Sequence, residues 1–328
     1  MWFLSPRRPV GCLGKVPFSP DYDLEARLGG GAEAALGEWL HCIPPPESAP
    51  RPSEGFAFLL RDPSRRGAIA GRLWPSADSA GRAFPFAVYL GLGRKELQGG
   101  TGAAVERLEP AWKALEFLAS DGGRYWPEIR GTSPVDLAAA RDRLRKAQIP
   151  LGEWRPSLPA DLVRRMRELE AWPFLSSLFP GDTAARSAAA FLRLARFLRN
   201  LDGVEQPRFA LVAPYGPGLA QALQVTFWME WINGGRDGAP LFPEAIFLPR
   251  GSCGGLWLVF RDLLPQDGGP LLYGLPPHQY VFDLTGRSPP GEEDAAAETR
   301  LGEKICGART AGDLLAVTEE AVERPVRG

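Results

Sequence analysis

Leu73-Trp-Pro-Ser-Ala-Asp-Ser-Ala-Gly-Arg-Ala-Phe-Pro-Phe86 is a turn of particular residues set between two apolar runs, Gly67–Leu73 and Phe84–Leu90. Both runs have the length and composition of strands, which places the turn at a sheet end. Pro75 fixes its own backbone angle, Ser76 and Asp78 can accept hydrogen bonds from nearby N–H groups, and Gly81 can enter the left-handed region. Arg82 follows Asp78 closely enough to be its charge partner.

Working outward, residues 10–13, 56–61, 67–73 and 84–91 read as strands, with a helix over 23–42 between the first two. Leu24, Leu28, Leu36, Trp39 and Leu40 supply that helix's apolar face, and Gly29-Gly-Gly31 must interrupt or delay it. A second helix over 101–119 carries Val105, Leu108, Trp112, Leu115 and Leu118 at helical spacing, with Pro110 as a kink or a first turn. Strands joined by short connections pair antiparallel, so the expected class is α+β: an antiparallel-rich sheet with flanking helices. Residues 121–160 read as a connection containing a basic helix, Val135–Lys146. Beyond it, helices are expected at 160–170, 183–199, 217–232 and 310–323, and strands at Phe209–Ala213, Ala245–Leu248 and Gly255–Arg261. Ser288–Asp294, rich in proline and acid, reads as a surface loop. The chain divides on this reading into an α+β unit (1–120), the connection (121–160) and a mixed α/β half (161–328).

A second element of fixed chemistry stands near the N-terminus: Gly11-Cys-Leu-Gly-Lys-Val-Pro17, then Asp21 and Tyr22. Gly14, Lys15, Pro17, Asp21 and Tyr22, followed by Pro75, Ser76, Asp78, Gly81, Arg82, Phe84 and Pro85, together resemble the TagF (ImpM) family of type VI secretion accessory proteins. Family members usually carry Phe where Tyr22 stands. The resemblance covers roughly residues 10 to 120, with an echo in Gly255-Leu-Trp-Leu258 and Gly274-Leu-Pro-Pro277. It implies a longin- or profilin-like first half and a non-enzymatic cytoplasmic protein. Such a protein represses or regulates secretion after translation by binding a scaffold with a forkhead-associated domain. It also marks Lys15, Asp21, Tyr22, Ser76, Asp78 and Arg82 as possible partner-binding residues.

Of 328 residues, 45% are hydrophobic and 23% charged, the balance of a soluble globular chain with room for a sizeable core. A formal net charge of −1 argues against nucleic-acid binding through the whole surface. The apolar run at the N-terminus is too short for a signal peptide, and nowhere do about 18 apolar residues run together to span a membrane. Cys12, Cys42, Cys253 and Cys306 are far apart, without zinc spacing, and suit a reducing cytoplasm.

Lys15, Asp21, Asp78 and Arg82 form the nearest thing to an active constellation. Such residues can pair off to hold two loops in one geometry, or can serve a hydrolase, and an adaptor unrelated to secretion is a further alternative. The chain has two histidines, His41 and His278. His41 adjoins Cys42, but neighbours on a helix do not face each other, so no dyad follows. Gly251-Ser-Cys-Gly-Gly255 lacks the spacing of a nucleophile elbow, and Gly29-Gly-Gly31 and Gly91-Leu-Gly93 lack a phosphate-cradle fingerprint. No cofactor and no metal is expected. Basic residues gather at Arg141, Arg143, Arg145 and Lys146, then at Arg164, Arg165 and Arg167, as a solvated face or a docking surface for an acidic or phosphorylated partner. Trp228 and Trp231, at helical spacing, read as core unless exposed.

Overall fold

The computed structural model describes residues 7–15, 25–44, 55–77, 80–119, 146, 148–150, 159–181, 183–201, 204–216, 218–234, 239–249, 255–285 and 292–323. Among these residues nine strands run in chain order: β1 (Arg7–Gly14), β2 (Phe56–Arg61), β3 (Gly67–Trp74), β4 (Phe86–Gly93), β5 (Gln148–Pro150), β6 (Ala210–Ala213), β7 (Ala245–Pro249), β8 (Leu256–Val259) and β9 (Val281–Asp283). They form one sheet in the order β5-β1-β4-β3-β2-β7-β8-β6-β9. Every neighbouring pair is antiparallel except β6 with β9. The helices are α1 (Gly31–Cys42), α2 (Thr101–Ala119), α3 (Pro159–Arg167), α4 (Ala171–Leu178), α5 (Thr183–Arg199), α6 (Gln221–Gly234), α7 (Gly268–Tyr273), α8 (Glu292–Gly307) and α9 (Ala311–Glu323). The protein is therefore mixed α+β, as its strand and helix periods require.

Alternation along the strands builds two cores. Ala57, Leu59, Val88, Leu90, Ile246, Leu248, Leu256 and Leu258 face one, together with apolar positions of α2 to α6, α8 and α9. Phe58, Leu60, Ala87, Tyr89, Ala245, Phe247, Trp257 and Val259 face the other, together with α1 and α7. Strands buried on both faces read as continuous apolar runs, which is why β2 and β7 contain almost nothing polar. Each fully buried Leu or Phe contributes roughly 1.5–3 kcal/mol relative to exposure.

On the α1 face Tyr89 is fully buried and donates to Glu33 Oε1 at 2.7 Å. Tyr89 needs glycine beside it on both neighbouring strands: a Cβ on Gly11 would lie 2.5 Å from its ring, and one on Gly71 2.7 Å from the Tyr89 Cβ. Glu33 also accepts the amides of Leu28 and Gly29, at 3.0 and 2.5 Å, just ahead of α1. On the other face α6 is buried nearly all round, with Trp228 and Trp231 in the core, and Gly102 of α2 lets the two helices approach closely.

The expected helix over 23–42 begins only at Gly31, because Cys12 and Ala26 exchange backbone hydrogen bonds of 3.0 and 2.9 Å and hold the preceding segment extended. Gly29 and Gly30, with φ of 83° and 121°, then make the delay. Of the expected Ser288–Asp294 loop, 288–291 lies outside the described residues, and residues from Glu292 belong to α8. Of Val135–Lys146 only Lys146 is described.

Registers fix which loops share an end. Gly14 and Trp74 both stand opposite Phe86, so the ends of β1 and β3 and the start of β4 lie together. Leu60 and Val259 both stand opposite Ala245, and Ala210 opposite Val259, which gathers the end of β2, the starts of β6 and β7 and the end of β8 at the other end.

Candidate functional site

The two motif segments meet at the first of these ends. Ser76 Oγ donates to the Lys15 carbonyl oxygen at 2.9 Å. Gly14 has φ of 131°, and a Cβ there would lie 2.1 Å from the Pro85 carbonyl oxygen, so the glycine of one motif is seated on the proline of the other. The turn closes on itself through Phe84 N to Ser76 O at 2.9 Å and a bridge between Ala77 and Ala83, and Gly81 takes the left-handed conformation, φ 80°. Lys15 is half-buried and Arg82 exposed. Asp21, Tyr22 and Asp78 lie outside the described residues, so the four-residue constellation is seen only through Lys15 and Arg82.

Beneath the turn, Trp74 stacks on Phe86 at 6.2 Å and the buried Arg72 lies over Trp74 at 5.9 Å while pairing with Glu116 of α2 at 3.4 Å. Phe84 meets the edge of His41 at 5.0 Å. The turn is thus braced against helices on both faces of the sheet. His41 Nδ1 is 2.7 Å from the Gly37 carbonyl oxygen of its own helix, and Cys42 is exposed beside it. An imidazole bonded to the preceding turn is not aimed at the adjacent thiol.

The three arginines of α3 in the basic surface are ion-paired. Arg164 reaches Glu168 at 3.2 Å, Arg165 reaches Glu106 at 2.6 Å, and Arg167 reaches Glu230 at 3.7 Å. Arg141, Arg143 and Arg145 lie outside the described residues.

Sequence reasoning missed a buried polar cluster. Asp267, 1% exposed, is held by both terminal nitrogens of Arg261 at 2.7 and 2.8 Å. It also accepts the Leu264 amide at 2.8 Å and His278 Nε2 at 2.9 Å. Burial is the largest single influence on Asp267 and opposes ionisation, but the Arg261 fork, the Leu264 amide and His278 together outweigh it and hold the carboxyl below its ordinary value. His278 Nδ1 stands 3.3 Å from the Tyr280 amide. The tautomer protonated at Nε2 therefore satisfies both ring nitrogens, one donating to Asp267 and one accepting from Tyr280. With both nitrogens engaged the imidazole works as a clamp, tying the segment before β9 to the corner after β8.

Among the described residues no group of His, Cys, Asp and Glu has the arrangement of a metal site, and no helix is long and apolar enough to cross a membrane.

No family model matches the chain, and no curated protein matches it. Among solved structures it is similar to PA0076 from Pseudomonas aeruginosa PAO1, at 19% identity and a TM-score of 0.32, over 43% of this chain and 64% of that one. The chain thus spans less than two thirds of that protein's length, and the likeness is partial and weak.

Proposed function

We propose that this chain is a TagF-like accessory protein of type VI secretion that works by binding in the cytoplasm rather than by turning over a substrate. In this reading it restrains assembly or firing by engaging a protein with a forkhead-associated domain. The observation that carries the proposal is the Ser76–Lys15 bond. The two segments on which the family resemblance rests are far apart in sequence, yet they are fastened to each other at one sheet end, with Gly14 fitted to Pro85. Ser76 spends its hydroxyl on the Lys15 backbone. A motif residue used this way builds a surface, and Arg82 stands exposed on it.

Restraint then follows from mass action. A protein that binds a scaffold only in its idle state draws the population toward that state by its differential affinity. The test is imaging of sheath assembly in the native host with this protein overproduced. Wild-type protein should suppress firing, and Arg82→Glu, at an exposed position, should suppress it less at an unchanged melting temperature. Unchanged firing under wild-type overproduction would overturn the proposal.

A further inference from the structure

At the sheet end opposite the motif junction, four segments surround a cavity of about 380 Å³. They are the β2–β3 hairpin, the approach to β7, the approach to β6 and the exit from β8. This volume lies at the small end of the range for ligand pockets.

The charges lining it almost cancel. Arg65 pairs with Glu244 at 3.3 Å, Arg208 with Asp262 at 3.4 Å, and Arg261 with Asp267 at 2.7 Å. Arg61 is left over. It lines the cavity half-buried, and its Nε is buried with no hydrogen-bond partner. Its guanidinium lies over the ring of Phe242, 5.4 Å from the centroid, and Phe242 is itself 50% exposed. Desolvation pushes Arg61 below its ordinary guanidinium value, Glu244 opposes that and Arg65 adds to it, so the positive charge is incompletely compensated where it sits. A planar fork fixed against an aromatic face is organised in advance for the two oxygens of a carboxylate.

We propose that this cleft binds a single carboxylate carried on an apolar group, the carboxylate on the Arg61 fork and the apolar group against Phe242. A doubly charged phosphate suits it less, because among the described residues Arg61 is the one lining arginine outside an ion pair and Glu205 and Asp262 stand exposed at the cavity wall. The site is independent of the motif junction and of the function proposed from it.

Ligand-observed NMR titration of the full chain tests this with phenylacetate, its neutral amide and inorganic phosphate. The acid should bind about tenfold or more tightly than the amide, since a hydrogen bond to a charged group is at stake, and should outcompete phosphate. Arg61→Met, which keeps the aliphatic stem, should remove that preference. Phe242→Ala should weaken the acid severalfold with an unchanged melting temperature, and it carries the test if Arg61→Met fails to fold. Acetyl-glycyl-phenylalanine with a free or an amidated C-terminus separates the two sources of a carboxylate. Tighter binding of the free peptide than of phenylacetate assigns the site to a protein C-terminus, and weaker binding assigns it to a free organic acid. Equal binding of phenylacetate and phenylacetamide, stronger binding of phosphate, or acid binding unaffected by Phe242→Ala would each overturn the proposal.

Discussion

Asp267 has almost no contact with water, and Arg261 beside it is 8% exposed, so each makes the other tolerable in the interior. Breaking such a pair from one side leaves an uncompensated charge, so Asp267→Asn should cost about 3–5 kcal/mol, read from denaturant unfolding. The pH dependence has a definite sign. Asp267 is depressed in the folded protein, so its contribution is fully present above the ordinary carboxylate value of 3.8 and is lost as pH falls through the lower folded value. Asp267→Asn should therefore remove part of the loss of stability on acidification. An unchanged acid limb in the variant would show that other carboxylates dominate it.

At the scale of elements, Gly102 lets α2 pack closely against α6 and α3. Alanine in a helix ordinarily exceeds glycine in stability by roughly 0.5–1 kcal/mol. A Cβ on Gly102, however, would stand 2.0 Å from Thr226 Oγ1 and 2.9 Å from Leu162 Cδ2. Gly102→Ala should thus destabilise by about 1–3 kcal/mol through overpacking. Gly37→Ala in α1, where the nearest atom is Leu13 Cδ2 at 3.4 Å, should be neutral or stabilising. Thermal melts of the pair check the contrast.

Elements with a strong period were legible in the sequence. The α2 and α5 boundaries match the expected 101–119 and 183–199, and β2 matches 56–61. The acid-rich start of α8 hid the stripe of Ala297, Leu301 and Ile305 that packs it. β5 and β9 are three residues each and carry no period at all. The motif junction was legible because each loop has fixed chemistry next to a strand. The clamp was not: Arg261, Asp267 and His278 stand on three separate segments around α7, and nothing in their spacing shows that they converge. Arg61 and Phe242 likewise meet only because β2 pairs with β7.

Over the whole molecule, that same β2–β7 pairing joins strands from the two halves of the chain into one sheet. A fragment ending at residue 120 would carry β2 as a free edge, without β7 beside it and without the later helices that share its core. Exposed apolar edges of this kind associate. Residues 1–120 expressed alone should sediment as oligomers or aggregate, whereas a monomeric, cooperatively melting fragment would show that the first half closes its own core.

If, as proposed, the motif junction is a binding surface for a forkhead-associated protein of the secretion apparatus, the full chain binds that protein in solution. Calorimetric titration of the purified full chain with that protein from the same organism measures this binding most directly. Saturable one-to-one binding is predicted, weakened by Arg82→Glu, and by Ser76→Ala, which removes a bond worth about 0.5–1.5 kcal/mol in fastening the two loops, while Phe242→Ala at the far end leaves it unchanged. No heat of binding with wild-type protein, or identical affinity for all three variants, would overturn that proposed role of the junction.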